Sequence, residues 1–198
     1  MGTGGITMGF ISALTMAHRW IAERVTSGGL VIDATAGGGV DTLALAQLVG
    51  AKGTVLAFDI QQEALDKTAT RLEQFNDPST LATVSLIRDS HATMSKYVNQ
   101  VGSVGAIMFN LGYFPGGDES IITMPSSTIE ALEQSLDLLK VGGIITCMLY
   151  PGHAGGDTEA DVVQQWASNL PTGRAQCIMY RQLQRHDAPY LIGIEKRS

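Results

Sequence analysis

The sequence predicts an α/β fold, a Rossmann-like and doubly wound sheet that is mostly parallel, with helices on both faces. Three observations carry this. Apolar strand-like runs alternate with helical runs along most of the 198 residues, and only the last two strands follow one another without a helix between them. The first strand runs into three consecutive glycines, Gly37-Gly38-Gly39, and a helix opens directly behind them. The first four strands end in an acid or an amide, at Asp33, Asp59, Asp89 and Asn110, and a doubly wound sheet gathers such strand ends along one edge.

Taken in order, residues 8–26 read as a helix, with Ile11, Leu14, Ala17, Ile21 and Val25 near helical spacing and Gly28-Gly29 to end it. Residues 30–34 are the first strand, and 41–49 a helix stopped by Gly50. Residues 54–59 are apolar up to their last position, as expected of a strand buried on both faces of a parallel sheet. A helix over 61–75 is stopped by Asn76-Asp77-Pro78, a third strand spans 83–87, and a short helix lies near 92–98. The fourth strand covers 104–109, and a Gly/Pro-rich loop runs from 110 to 124. Pro125 suits the first turn of a helix that reaches 139, and Val141-Gly142-Gly143 leads into a strand over 144–150. Residues 157–170 are helical up to Pro171, and 174–181 and 190–195 form the antiparallel C-terminal finish. No break in composition marks a second domain, so one domain over 1–198 is expected, with residues 1–7 a flexible tail.

Composition is that of a globular chain, 44% hydrophobic and 16% charged, with glycine in excess. No apolar run approaches the ~20 residues of a membrane span, and the N-terminus lacks the pattern of a secretory signal, so the expected location is cytoplasmic with no membrane partner. Cys147 and Cys177 sit in apolar strand-like runs and read as small buried hydrophobes. They lack metal-ligand spacing, and His18, His91, His153 and His186 are too scattered to supply it, so no metal site is expected. The net charge of −6 gives no global footprint for nucleic acid, but Arg174, Arg181, Arg185, His186, Lys196 and Arg197 concentrate in the last 25 residues.

The glycine loop lets the backbone approach a ligand closely, and the helix behind it offers unpaired N–H groups. Dinucleotide-binding folds and S-adenosyl-L-methionine (AdoMet) methyltransferases both use this arrangement, and a plain turn would also contain it. Asp33 can accept from an amino group or from the loop's own amides. Asp41 would repel a pyrophosphate, whereas a zwitterionic sulfonium ligand tolerates a carboxylate there. Asp59 lies twenty residues past Gly39, the spacing at which an acid accepts from ribose hydroxyls, with Gln61 close by. Asp89, Ser90 and His91 would flank an adenine, although Ser90 also reads as a helix cap. Helix capping explains one such acid but not polar residues at four consecutive strand ends, and the set reads as one nucleoside site: Asp33, Gly37, Gly38, Gly39, Asp41, Thr42, Asp59, Gln61, Asp89, Ser90, His91 and Asn110.

Two further loops share that rim. Asn110-Leu111-Gly112-Tyr113 resembles the Asn-Pro-Pro-Tyr-type loop of amino-group methyltransferases, where the amide holds a nitrogen and the aromatic stacks on the base; a structural Gly/Pro loop is the alternative. Tyr150-Pro151-Gly152-His153 follows the fifth strand, and His153 is either a proton acceptor, a phosphate contact or a loop histidine.

Together these stretches resemble, end to end, the small AdoMet-dependent methyltransferases long labelled rRNA methylases, and most of all the MnmM (YtqB-like) enzymes that methylate the tRNA wobble uridine. The marks are the segment from Asp33 to Thr42, Phe58 to Gln61, Asp89-Ser90-His91, Asn110 to Asp118 and the His153-x-Gly-Gly loop. The resemblance implies a seven-stranded class I methyltransferase fold. It also implies transfer of a methyl group to the aminomethyl nitrogen of 5-aminomethyl-(2-thio)uridine in tRNA, and it allows a homodimer. The cofactor would be S-adenosyl-L-methionine, released as S-adenosyl-L-homocysteine. The chain departs from the family's usual Gly-Asn-Gly-His-Asp-Thr loop by carrying Gly38 and Val40, so two polar contacts are missing. In this reading Asn110 holds the amine, Tyr113 packs on the uracil ring, and Asp118 or His153 takes the proton. Strand-bound cysteines disfavour a cysteine-adduct mechanism. The alternatives are methylation of rRNA, another nucleic acid or a small-molecule amine, a nicotinamide-dependent oxidoreductase on a related fold, and a degenerate methyltransferase that only binds.

Overall fold

The computed structural model describes residues 9–112, 123–152 and 155–198; the tail expected over residues 1–7 lies outside them. Seven strands form one sheet: β1 (Leu30–Asp33), β2 (Thr54–Asp59), β3 (Thr83–Arg88), β4 (Val104–Asn110), β5 (Leu139–Leu149), β6 (Ala175–Tyr180) and β7 (Tyr190–Lys196). Their order across the sheet is β3-β2-β1-β4-β5-β7-β6. The first five run parallel, and β7 is antiparallel to both its neighbours. That is the doubly wound sheet with an antiparallel finish that the strand–helix alternation predicts.

Period-two alternation along strands buried on both sides sorts the core into two layers. Val31, Val55, Ala106 and Met108 face α1 (Ala13–Ala22) and α2 (Val40–Val49), and Ala57 on the same side meets Leu65 of α3 (Gln62–Glu73). Ile32, Phe58, Ile107, Phe109 and Cys147 face α4 (Pro125–Leu138) and α5 (Gly156–Asn169) on the other side. Phe58 and Phe109 are fully buried, each contributing ~1.5–3 kcal/mol.

Three elements differ from the sequence reading. The first helix begins only at Ala13, where the Ser12 hydroxyl accepts from the Thr15 amide, and it ends at Ala22. Residues 91–97 form a 3-10 helix, with Ser90 as its cap accepting from Ala92. The fifth strand starts at Leu139 rather than residue 144, because Leu139 pairs with Val104 before the chain reaches its glycines, a tertiary pairing with no local signature. Helix α1 docks where Gly193 of β7 leaves room for Trp20. A Cβ there would meet the indole at 2.7 Å, so the close approach requires glycine.

Candidate active site

The strand order reverses between β1 and β4, and the crevice beyond the carboxyl ends of these strands is where doubly wound sheets take ligands. A cleft of about 560 Å³ opens there, with the glycine loop, Asp59 and Asp89 on one side and Asn110 and Tyr150 on the other.

On the first side, backbone amides orient the acids. Asp59 accepts from the Gly37 amide through one oxygen and the Gln61 amide through the other, each at 2.9 Å. Each oxygen keeps a second lone pair toward the cleft. Asp89 accepts from the Ser90 amide at 2.8 Å and from the Tyr97 hydroxyl at 2.9 Å. The Thr93 hydroxyl first, then Tyr97 and Ser90, hold its carboxyl below the usual value. Tyr97 is itself set by an edge contact with Phe58. His91 lies on the floor of the cleft, edge-on to Phe109 and buried, and burial lowers its pKa. Its Nε2 has no hydrogen-bond partner among the described residues.

The glycine loop is pinned from α3. Thr68 donates to the Gly37 carbonyl at 3.1 Å, and the Arg71 guanidinium donates to the Gly38 carbonyl at 2.6 Å. Gly39 has a φ of +76°, and a Cβ on it would lie 2.8 Å from the Thr68 backbone, so this position requires glycine twice over. The loop is thus held from α3 through its carbonyls and from the end of β2 through the Gly37 amide.

Asp33 and Thr42 do not face the cleft. Asp33 is fully buried behind the loop, accepting from the Thr42 hydroxyl at 2.6 Å and the Thr35 amide at 3.1 Å. Burial, and then the Asp41 charge, raise its pKa from 3.8 to about 7; the Thr42 and Thr35 hydrogen bonds oppose them and Asp59 adds to them. Gly39 caps α2 beneath the same loop.

On the second side, side chains bind one another. Asp41, nearly buried, accepts from His18 Nε2 at 2.7 Å and from Asn110 Nδ2 at 3.1 Å. The Asn110 main-chain amide donates to the Thr35 hydroxyl. Burial, with the Asp41 charge, pushes the Tyr150 phenol up, while a hydrogen bond from the Asn110 amide acts the other way. The loop after β4 is tied at its base: Thr123 and Gly112 share two hydrogen bonds, and the buried Glu159 of α5 accepts from the hydroxyls of Thr123 and Thr128. Tyr113, Asp118 and His153 lie outside the described residues. Sequence reasoning set His18 aside among four scattered histidines and placed Tyr150 on the rim only as the start of the loop after the fifth strand; no local signal pairs either with Asp41, since they meet it only in three dimensions.

Most of the C-terminal cations are already committed. Arg174 pairs with Glu133 and Asp137, Arg197 with Glu195, and Lys196 donates to the Leu139 carbonyl. Arg181 lies 4.6 Å over the Tyr190 ring and donates to the His186 carbonyl. Arg185 makes no ion pair with the described residues. Cys147 is buried in β5 and Cys177 half-buried in β6, and burial pushes both thiols up.

This strand order, with its antiparallel β7 and a cleft at the switch point, is that of the class I AdoMet-dependent methyltransferase fold, and the relatives below make the chain a methyltransferase. The family described as "Putative rRNA methylase" matches residues 55–195, and the chain belongs to it. The chain is also 37% identical over 199 residues to the chloroplastic tRNA (mnm(5)s(2)U34)-methyltransferase of Arabidopsis thaliana, covering 98% of this chain and 73% of that protein. A Clostridium thermocellum structure described in the family's words aligns with a TM-score of 0.88 at 38% identity, over 96% of this chain and all of that one. A Streptococcus mutans protein solved in complex with S-adenosylhomocysteine aligns with a TM-score of 0.83 at 35% identity, over 95% and 99% of the two chains.

Proposed function

We propose that the protein transfers the methyl group of AdoMet to the primary amine of 5-aminomethyl-(2-thio)uridine at the tRNA wobble position. The observation that carries this reading is Asn110, an amide fixed at the end of β4 in the cleft. The chain-long similarity to the Arabidopsis enzyme supports the same substrate.

The residues present fit the cofactor. Asp59 has lone pairs left for ribose hydroxyls, and Asp89 for an exocyclic amine. Asp41 suits a ligand that carries positive charge and opposes the pyrophosphate of a nicotinamide dinucleotide, which sets the oxidoreductase reading aside. When bound, AdoMet supplies an electrophilic methyl group on a sulfonium. The protein aligns the attacking nitrogen, excludes water and keeps the amine neutral. Asn110 orients that nitrogen, Tyr113 packs against the base, and Asp118 or His153 takes the proton. The buried Cys147 and half-buried Cys177 thiols, raised in pKa, are poor nucleophiles for a ring-carbon mechanism.

One domain over residues 1–198, a cytoplasmic tRNA pool and a homodimeric assembly belong to the same proposal. No helix among the described residues is long and apolar enough to cross a membrane. The test is nucleoside mass spectrometry of tRNA carrying 5-aminomethyl-(2-thio)uridine after incubation with protein and AdoMet, with rRNA in parallel. A wobble nucleoside heavier by one methyl group is expected. Methylation of rRNA alone, or at a ring carbon, would overturn the proposal.

A further inference from the structure

We propose that His18, on α1, is a positioning residue for methyl transfer: through Asp41 it fixes which end of the Asn110 side chain is offered to the incoming amine. The inference rests on the proposed function and adds a residue outside every motif that suggested it.

An ionised carboxylate only accepts hydrogen bonds, so Asp41 dictates what its neighbours present to it. The Asn110 Nδ2 donates to Asp41 Oδ2 at 3.1 Å, and the same amide holds the Tyr150 phenol down against its burial. The nitrogen end of the Asn110 side chain is thus turned toward Asp41. Its Oδ1 has no hydrogen bond from any described residue, and it is the atom left to accept from an amine. A flipped amide would set its oxygen against a carboxylate and turn a donor toward the substrate. A donor there cannot hold a neutral amine by its N–H groups.

Asp41 must itself be held to impose this. Its Oδ1 takes the His18 Nε2 at 2.7 Å, which requires the proton of the ring to be on Nε2. The carboxylate is nearly buried, so it cannot exchange this partner for water freely. The charged and titratable groups around Asp41 among the described residues are His18 from α1, Asp33 from β1 and Tyr150 after β5. His18 is the one basic partner. Its donation also draws charge away from the amine, which a bare carboxylate would favour in the cationic, unreactive form.

Helix α1 is anchored independently of the cleft, by Ala17, Ile21 and the Trp20–Gly193 contact, so His18 is delivered from a rigid element. The experiment compares wild type, His18→Ala and His18→Gln, whose amide N–H can replace the Nε2 donor. On tRNA carrying 5-aminomethyl-(2-thio)uridine, His18→Ala should lower kcat about tenfold, with KM for AdoMet changed by less than about twofold. His18→Gln should recover most of the loss. Equal kcat for His18→Ala and wild type, or a Gln variant as slow as Ala, would overturn the inference. A wild type that methylates nothing on this tRNA would defeat the functional reading instead. The side-chain amide resonances of Asn110 then decide the positioning role without turnover: they should move in His18→Ala and return toward wild type in His18→Gln, and unmoved resonances would overturn it.

Discussion

On the β1–β3 side of the cleft the polar side chains are bound chiefly to main chain, with the Tyr97 hydroxyl on Asp89 as an exception, whereas on the β4–β5 side the Asp41 network binds side chain to side chain. Asp59 and Asp89 take amides within a few residues of themselves or from the adjoining loop, and Thr68 and Arg71 hold loop carbonyls. Across the cleft, His18, Asp41, Asn110 and Tyr150 meet from α1, α2, β4 and the end of β5. The first side shapes a rigid backbone cradle, suited to a ligand of constant structure. The second holds the Asn110 amide in one orientation, and each link in it depends on the next. Removing a residue from the first side should therefore weaken binding, while removing one from the second should slow chemistry.

The largest expected effect tests the second side. Asn110→Ala removes the side chain proposed to orient the nucleophile and should reduce turnover by ~10²-fold or more, with cofactor affinity changed far less. Single-turnover rates and calorimetry with S-adenosylhomocysteine measure the two separately. A variant that loses affinity and keeps its rate would reverse the division of labour between the sides.

Next comes Asp59→Ala. It deletes the acceptor of two loop amides along with the proposed ribose contact, and charge-assisted hydrogen bonds of this kind are worth ~1.5–3 kcal/mol each. Affinity for AdoMet should fall at least tenfold, with a much smaller change in rate at saturation. Unchanged affinity by calorimetry would remove Asp59 from the cofactor site.

Asp33 sharpens the contrast from beneath the loop. Its pKa is near 3.8 when unfolded and about 7 when folded, so the folded chain holds the extra proton between those values. Its stabilising contribution is present below about pH 4 and is lost as pH rises toward about 7. Asp33→Asn should flatten that fall, read as the thermal midpoint across the same pH window, while leaving the cleft-lining groups in place. Parallel pH profiles for variant and wild type would show that the carboxyl is not held protonated.

The two sides also differ in how far the sequence discloses them. Strand ends at Asp59 and Asn110, the glycine loop and the order of helices were legible because each is a local pattern: period, punctuation, or an acid at fixed spacing. The Asp41 network was not, since His18 lies 23 residues from Asp41 in the chain and Asn110 lies 69. Asp33 shows a different limit. Its place at a strand end left two readings open, a ligand's amino group or the loop's own amides, and the fold takes the second: the side chain faces inward, where the Thr35 amide and the Thr42 hydroxyl claim its two oxygens. The early start of β5 at Leu139 was hidden for the same reason as His18, because pairing with Val104 overrides the local sequence.

The smallest expected effect concerns the outer rim, where Arg181 and Arg185 look equivalent in sequence and differ in the fold. Both lie in the turn between β6 and β7, which reaches the loop after β5: a Cβ on Gly152 would sit 3.1 Å from the Asp187 carbonyl. Arg181 is spent on the turn itself, stacked over Tyr190 and donating to the His186 carbonyl. Arg185 is exposed and makes no ion pair with the described residues, so its charge is available to a phosphate. Arg185→Ala should weaken tRNA binding by a few-fold and lower the salt slope of log K by about 1, with the thermal midpoint unchanged. Arg181→Ala should lower the midpoint and affect tRNA only through the loosened turn. AdoMet affinity should be the same in both variants, because neither residue reaches the cradle on the far side. Filter binding across a salt series separates the two residues: an unchanged slope for Arg185→Ala would place the RNA path on another face of the molecule.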